Sequence, residues 1–141
     1  AFVRAIGVLG SLAIVTGTVV TGAGPHAGDE KAPRLDVGIE TVARIHGVSV
    51  ILTLLAIVAL LVRMRGKGFG RVHSHIESLL VIGVVQATVG YVQYFNDIPA
   101  LLVGVHITLA TAFFLAIVAL WRVVAPRGVQ TVEESRATVA R

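Results

Sequence analysis

The chain has 141 residues, of which 55% are hydrophobic and only 14% are charged, and its mean hydropathy is +0.87. A soluble domain carries about 25% charged residues, so this composition argues against both a soluble globular domain and a disordered chain. The sequence contains no cysteine, which excludes a disulfide framework, a thiolate metal site and a catalytic thiol. The net charge of +4 would indicate nucleic-acid binding only if the basic residues formed a patch on a polar surface.

Four apolar segments are each long enough to cross a bilayer, whose hydrocarbon core is spanned by about 20 helical residues. They run from about residue 2 to 22, 39 to 62, 76 to 95 and 98 to 121. The first segment exceeds the apolar region of a signal peptide, which is about 7–15 residues long, so we expect it to be a retained span. The sequence therefore predicts a four-helix transmembrane domain over residues 1–125 and a polar cytoplasmic tail over residues 126–141.

The positions of lysine and arginine predict the orientation of these helices. Most of them lie at the N-terminus, in the second loop and at or beyond the end of the fourth span, which the positive-inside rule places in the cytoplasm. These nine of the twelve basic residues are Arg4, Arg63, Arg65, Lys67, Arg71, Arg122, Arg127, Arg136 and Arg141. Because the connections are short, we expect an all-α, up-down antiparallel bundle in the lipid bilayer with both termini cytoplasmic. With this orientation, the basic residues indicate the membrane topology and do not support a nucleic-acid partner.

Two of the five histidines lie inside predicted spans, His46 in the second and His106 in the fourth. In an up-down bundle both would lie about seven or eight residues below the outer boundary, which is roughly 10–12 Å. A haem iron can take one imidazole nitrogen from each side. Two histidines at one depth, on non-consecutive helices, therefore predict the axial ligands of a haem iron.

The same pair is also compatible with roles that need no haem. A histidine inside the membrane can join two helices by a hydrogen bond, although ionisable residues there are costly and are often functional. Zinc usually takes four ligands, and no others are expected at this depth. A proton relay would normally include an acidic residue within the spans, whereas Glu40 and Glu77 lie at helix ends.

Several neighbours of the pair are candidates for a haem pocket. Ser49 shares a helix face with His46 and could orient a cofactor or bond a backbone carbonyl. Arg44 lies at the outer rim, where it could pair with haem propionates or anchor the helix at the interface. Gln86 and Gly90 belong to a stripe of small and polar residues on the third span. Such stripes pack helices in membranes, and glycine also lets a flat cofactor approach the backbone.

The remaining histidines lie near the membrane surfaces. His26 is followed by Asp29 in the loop after the first span, and both are candidate rim residues as well as ordinary loop residues. His73 and His75 lie at the cytoplasmic start of the third span. We expect a solvated helix start there in preference to a second haem or metal site.

Four motifs follow one another in a fixed order within residues 8–122. They are TGAGPHAGD from Thr21, ARIHG from Ala43, QATVGYVQYF from Gln86 and IPALLVGVHITLA from Ile98. In this order they resemble the haem A synthases of the actinobacterial type. Those are bacterial plasma-membrane enzymes of eight transmembrane helices in two similar four-helix halves, and this chain is similar to the C-terminal half.

The resemblance implies a division of labour between two halves of an enzyme. His46 and His106 match the histidines that bind haem b in the C-terminal half. The N-terminal half, or a second copy of this chain, would handle haem O, whose C8 methyl group is oxidised to the formyl group of haem A for cytochrome oxidase.

The chain also departs from the family's pattern. The substrate half has an E-x-x-H-R arrangement, whereas here Glu40 is the nearest preceding acid to His46 and Gly47 follows the histidine. The outer-loop cysteine pair of many members is absent. The sequence therefore assigns neither a catalytic residue nor an electron donor.

Two other functions compete with this interpretation. One is a stand-alone bis-histidine haem b protein that carries electrons without substrate chemistry. The other is a cofactor-free scaffold in which the two histidines only join helices. Haem binding separates the scaffold from the other two, and haem A formation separates the enzyme from the carrier.

Overall fold

The computed structural model describes residues 2–25, 33–66 and 70–125. Its helices are α1 (Phe2–Ala23), α2 (Ile39–Met64), α3 (Gly70–Phe95) and α4 (Ala100–Val124). All four are long and apolar enough to cross a membrane, so the predicted all-α fold with four candidate spans is confirmed. His26, Asp29 and the tail over residues 126–141 lie outside the described residues.

The helix ends differ from the predicted spans because hydropathy locates the apolar middle of a helix and not its hydrogen-bonded ends. The largest correction is α3, which begins at Gly70 instead of about Ile76, since its first two turns are polar but helical. The fourth helix begins at Ala100 instead of Ile98 and continues to Val124 instead of Trp121. Proline supports this start, because Pro99 has extended backbone angles and its carbonyl accepts the first helical hydrogen bond.

A tight reversal joins α3 to α4. Asp97 and Ile98 both have positive φ angles, 57° and 55°, which is rare for a β-branched residue such as isoleucine. The amide of Ile98 donates to the carbonyl of Gln93 at 2.9 Å, so it satisfies one of the carbonyls that a helix end leaves open. This short turn keeps the end of α3 next to the start of α4.

The four helices surround a common axis. α1 packs closely on α2 and α3 on α4, while α2 with α3 and α1 with α4 complete the ring. Within the described residues, α2 and α4 make no close backbone contact, so they lie diagonally across the axis. A contact between these two helices must therefore be made by side chains.

Buried apolar side chains fill one end of the ring. They come from the early turns of α1 and α3 and the late turns of α2 and α4: Ile6, Ile57, Leu60, Ile76, Leu79, Phe113, Ile117 and Leu120. Many large apolar side chains elsewhere are exposed, for example Leu101 at 79% and Val8 at 69% exposure, while others such as Leu54 pack against the cluster. Such an apolar exterior is expected where lipid covers the helices and is unusual for a soluble protein.

Candidate functional site

The rings of His46 and His106 meet across the bundle axis at the end opposite the apolar cluster. Their centroids are 6.3 Å apart and their planes are nearly perpendicular, at 83°. Both side chains are half-buried. The proximity that equal depth predicts is present in the structure, although α2 and α4 are diagonal; the ligand role of the two rings stays a prediction.

Each ring lies against a glycine of the preceding helix. A Cβ added at Gly17 of α1 would lie 3.1 Å from Cε1 of His46, and one added at Gly90 of α3 would lie 2.8 Å from Cε1 of His106. A side chain at either position would therefore push the ring out of place. Gly90 and Gly17 thus each leave room for a histidine ring, and the role of Gly90 in a haem pocket stays a prediction.

Two glycines close to the histidines in sequence, Gly47 directly after His46 and Gly104 two residues before His106, have no such role. A Cβ added at Gly47 or Gly104 would have nothing within 4 Å among the described residues. Spatial neighbours on the adjacent helix, and not sequence neighbours, make room for the rings.

His46 is held by hydrogen bonds that define its tautomer. Its Nδ1 lies 3.0 Å from the carbonyl oxygen of Ala13, and a carbonyl oxygen can only accept. Nδ1 therefore donates, and Nε2 of the neutral ring carries a lone pair. The hydroxyl of Thr16 lies 3.3 Å from Nδ1 and 3.1 Å from the hydroxyl of Ser49, so Ser49 supports the ring through Thr16.

His106 is hydrogen-bonded through Nε2, whereas His46 is hydrogen-bonded through Nδ1. Its Nε2 lies 3.2 Å from the side-chain amide nitrogen of Gln86, which can only donate. Nε2 therefore accepts, and the proton of the neutral ring is on Nδ1. Nδ1 of His106 and Oε1 of Gln86 are both buried without a hydrogen-bond partner, which is uncommon for buried polar atoms.

Arg44 and the histidines at the start of α3 have contacts of their own, and the rim role of Arg44 stays a prediction. Arg44 is 81% exposed and forms an ion pair with Glu40 at 3.9 Å. His73 pairs with Glu77 at 3.3 Å, and His75 lies 2.8 Å from the Arg71 carbonyl. His73 is seventeen residues from Gly90, or about 25 Å along α3, so the second histidine cluster is remote from the pair.

An internal repeat in the sequence points to Gly17, which the hydropathy and histidine patterns did not single out. The hexapeptide LAIVAL occurs at residues 55–60 and again at 115–120, each time beginning nine residues after His46 or His106. The glycines of the preceding helices repeat as well, because Gly10 and Gly17 are spaced like Gly83 and Gly90. The sequences of the α1–α2 and α3–α4 pairs are therefore similar, and the repeated glycine spacing identifies Gly17 from Gly90.

The separation of the two rings is that of two imidazoles bound to one metal ion. A metal–imidazole bond of about 2.0–2.1 Å puts a ring centroid about 3 Å from the metal, so opposite ligands have centroids about 6 Å apart. The observed 6.3 Å fits this spacing.

No group of three or more histidine or acidic side chains comes together among the described residues, so they do not assemble a four-ligand zinc site. A haem iron needs only two protein ligands, and the unpartnered polar atoms of Gln86 and His106 fit a site that is completed by a ligand.

Comparisons with known proteins found no relative of this chain. No family model, no curated protein and no solved structure matches it. The function therefore has to be inferred from the residues of the site. The histidine pair, its two glycines and its two different hydrogen-bond partners are the features that any function must use.

Proposed function

We propose that the chain is a transmembrane haem b-binding domain whose axial ligands are His46 and His106, and that it serves as the haem b half of a haem A synthase. The main support for a haem site is the separation of 6.3 Å between the two ring centroids. This is the spacing of two imidazoles that bind one metal. The assignment to haem A synthase rests on the order of the four sequence motifs.

The ring environments support this site. The tautomer that the Ala13 carbonyl imposes on His46 leaves a lone pair on Nε2, as metal binding requires. Gly17 and Gly90 allow the rings to lie edge-on against the helix backbones. Residues that only joined two helices would not need a glycine opposite each ring.

The proposed topology is an up-down antiparallel bundle with both termini in the cytoplasm of a bacterial cell. Antiparallel pairing is supported by contacts between opposite helix ends, because the guanidinium of Arg63 lies 5.6 Å from the ring centre of Phe2. At the end of α3, Gly90 similarly meets His106 near the start of α4. The orientation is supported by the basic residues, which flank the end that contains the apolar cluster.

The residues of this chain would bind, orient and shield the cofactor. A bound haem supplies a one-electron redox centre. The imidazoles of His46 and His106 would ligate it, the Ala13 carbonyl and the Thr16 hydroxyl would fix the plane of His46, and Gln86 would contact His106. Oxidation of haem O would take place in the other four-helix half or in a second copy of this chain.

A stand-alone electron carrier is the second candidate. Within the described residues, the groups hydrogen-bonded to the two rings are a carbonyl, a hydroxyl and an amide, and none of them is an acid or base suited to proton transfer near neutral pH. This environment favours electron transfer over substrate chemistry within this domain, and it is compatible with the cofactor half of an enzyme.

The experiment for the haem site is an absorption spectrum of the purified protein after haem supplementation. We expect a low-spin spectrum, its conversion or loss in His46→Ala and His106→Ala, and no change in the remote control His73→Ala. Absence of a Soret band from the wild-type protein would refute the haem site.

The experiment for the enzyme assignment is a haem A assay in cells that make haem O. We expect haem A when this chain is produced with a haem A synthase N-terminal half, and a loss of product when His46→Ala is introduced. A haem-loaded chain that never supports haem A formation would favour the electron carrier.

A further inference from the structure

We propose that the two histidines are unequal ligands: His46 is the permanent one, and His106 is exchangeable, with Gln86 holding its released ring. The exchange would open a binding position on the α3–α4 side for a small ligand with a lone pair, of the class of carbon monoxide. This inference rests on the haem site proposed above and adds a second ligand site to it.

The surroundings of His46 are those of a firmly held ligand. Metal-bound histidines usually donate their other ring N–H to a carbonyl or carboxylate, which fixes the ring and raises its basicity. The 3.0 Å contact from Nδ1 to the Ala13 carbonyl is such a bond. The backbone of α1 supplies this acceptor, so the ring of His46 is oriented for binding through Nε2 before any metal arrives.

The surroundings of His106 are the reverse. Its Nε2, the nitrogen equivalent to the one that His46 leaves free, already accepts a hydrogen bond from Gln86. The backbone of Gln86 also interacts with the ring, but Nδ1 has no close hydrogen bond like the one that Nδ1 of His46 makes, so the ring is held less firmly for a metal. A bond from Nε2 to iron therefore has to replace the bond to Gln86, and release of the iron restores it.

Gln86 is the residue that makes the exchange favourable. A ring released into an apolar interior would leave a buried nitrogen without a partner, which is costly. Here the amide of Gln86 is 3.2 Å away and can satisfy Nε2 directly. The equivalent position in the α1–α2 pair is Ala13, four residues before its glycine as Gln86 is before Gly90, and alanine offers no such side-chain donor.

With haem bound, the step would be a ligand exchange with no change in oxidation state. Nε2 of His106 would give up its bond to the iron, the lone pair of the small ligand would replace it, and Nε2 would accept the N–H of Gln86. The chain would neither gain nor lose a proton or an electron.

The test is a carbon monoxide titration of the reduced, haem-loaded protein, followed by its absorption spectrum. We expect the wild-type protein to bind carbon monoxide, and Gln86→Met to lower its affinity about 5–10-fold, because the released ring loses one hydrogen bond. Gln86→Asn, whose shorter amide does not reach the ring, should lower the affinity similarly. Thr88→Val is the matched control, because Thr88 is exposed on the same helix and bonds only the Val84 carbonyl; it should bind carbon monoxide like the wild type.

The histidine variants give the second part of the test. His106→Ala should keep haem and bind carbon monoxide more tightly than the wild type, since no internal ligand competes. His46→Ala should lose most of its haem. The inference is overturned if a low-spin wild-type protein fails to bind carbon monoxide, if both Gln86 variants match Thr88→Val, or if the two histidine variants show the opposite pattern. A protein that binds no haem at all would overturn the proposed function as well, which distinguishes the two failures.

Discussion

The α1–α2 and α3–α4 hairpins place one histidine each against one glycine, yet they satisfy the polar groups around it in different ways. In the first hairpin a backbone carbonyl fixes Nδ1 of His46, and hydroxyl groups of the same pair bond one another. In the second hairpin a side-chain amide bonds Nε2 of His106, and Nδ1 stays without a partner. A backbone acceptor cannot move away from its ring, whereas a glutamine side chain can rotate.

The difference shows how two similar helix pairs can bind a histidine ring in two different ways. The repeat places each histidine nine residues before LAIVAL, and a glycine leaves room for each ring. In our proposal a single position, alanine in one pair and glutamine in the other, separates a fixed ring from an exchangeable one. The following predictions test this comparison, beginning with the largest expected effect.

The glycines that face the rings should matter most. Gly17→Ala places a Cβ 3.1 Å from Cε1 of His46, which the Ala13 carbonyl holds in place, so we expect haem affinity to fall about 100-fold, or ~2.7 kcal/mol. Gly90→Ala, with 2.8 Å to Cε1 of His106, displaces the exchangeable ligand and should cost less haem affinity. Haem titration by absorbance measures both, and Gly47→Ala, which has open space, should bind like the wild type. Equal affinities for Gly17→Ala and Gly47→Ala would contradict the placement of the rings.

The repeated core residues should contribute equally to the two hairpins. Ile57→Ala and Ile117→Ala each leave a cavity in the apolar cluster, and each should lower the free energy of unfolding by about 2 kcal/mol. The unfolding midpoint in mixed detergent measures this loss. The controls are Val58→Ala and Val118→Ala, which alter exposed neighbours and should change stability little. A large difference between the two isoleucine variants would show that the hairpins are not equivalent in the core.

The glycines that face the core should differ between the hairpins. Gly83→Ala brings a Cβ within 3.0 Å of both Leu54 and the Phe113 ring, so we expect a loss of about 1–2 kcal/mol through overpacking. At Gly10 the nearest atom is the tip of the Ile117 side chain, which can rotate, so Gly10→Ala should cost less. Thermal unfolding in detergent ranks the two. A larger loss for Gly10→Ala would reverse this expectation.

The buried hydroxyl groups of α2 should have the smallest effect. Thr53 is 2% exposed, and its hydroxyl donates to the Ser49 carbonyl of its own helix at 2.7 Å. Because valine keeps the shape and the helical carbonyl keeps its own amide partner, Thr53→Val should change stability by about 0.5 kcal/mol or less. A much larger loss would mean that this hydroxyl takes part in a network beyond its own helix.

The sequence predicts the helices and the histidine pair, because both depend on local patterns. Apolar length gives four spans, and equal depth brings His46 and His106 to one level. It does not predict that α3 begins at Gly70, since polar residues can continue a helix where hydropathy has ended. Nor does it predict that Gln86 bonds Nε2, because the atom that a side chain meets depends on helix rotation and on tertiary packing.

The repeat shows what more the sequence contains. The spacing of seven residues between Gly10 and Gly17, repeated between Gly83 and Gly90, relates Gly17 to Gly90 and Ala13 to Gln86 without any coordinates. The roles of these residues still need the structure, because only the fold shows that the glycines face imidazole edges across neighbouring helices.

The most direct test of the histidine site is the haem stoichiometry and spin state of the purified protein. Titration with haem, followed by optical and electron paramagnetic resonance spectra, should show one low-spin haem b per chain. The same titration of His46→Ala/His106→Ala should show none, while Gly47→Ala/Gly104→Ala should match the wild type. Low-spin haem that persists in the double histidine variant would contradict the claim that these two imidazoles form the site.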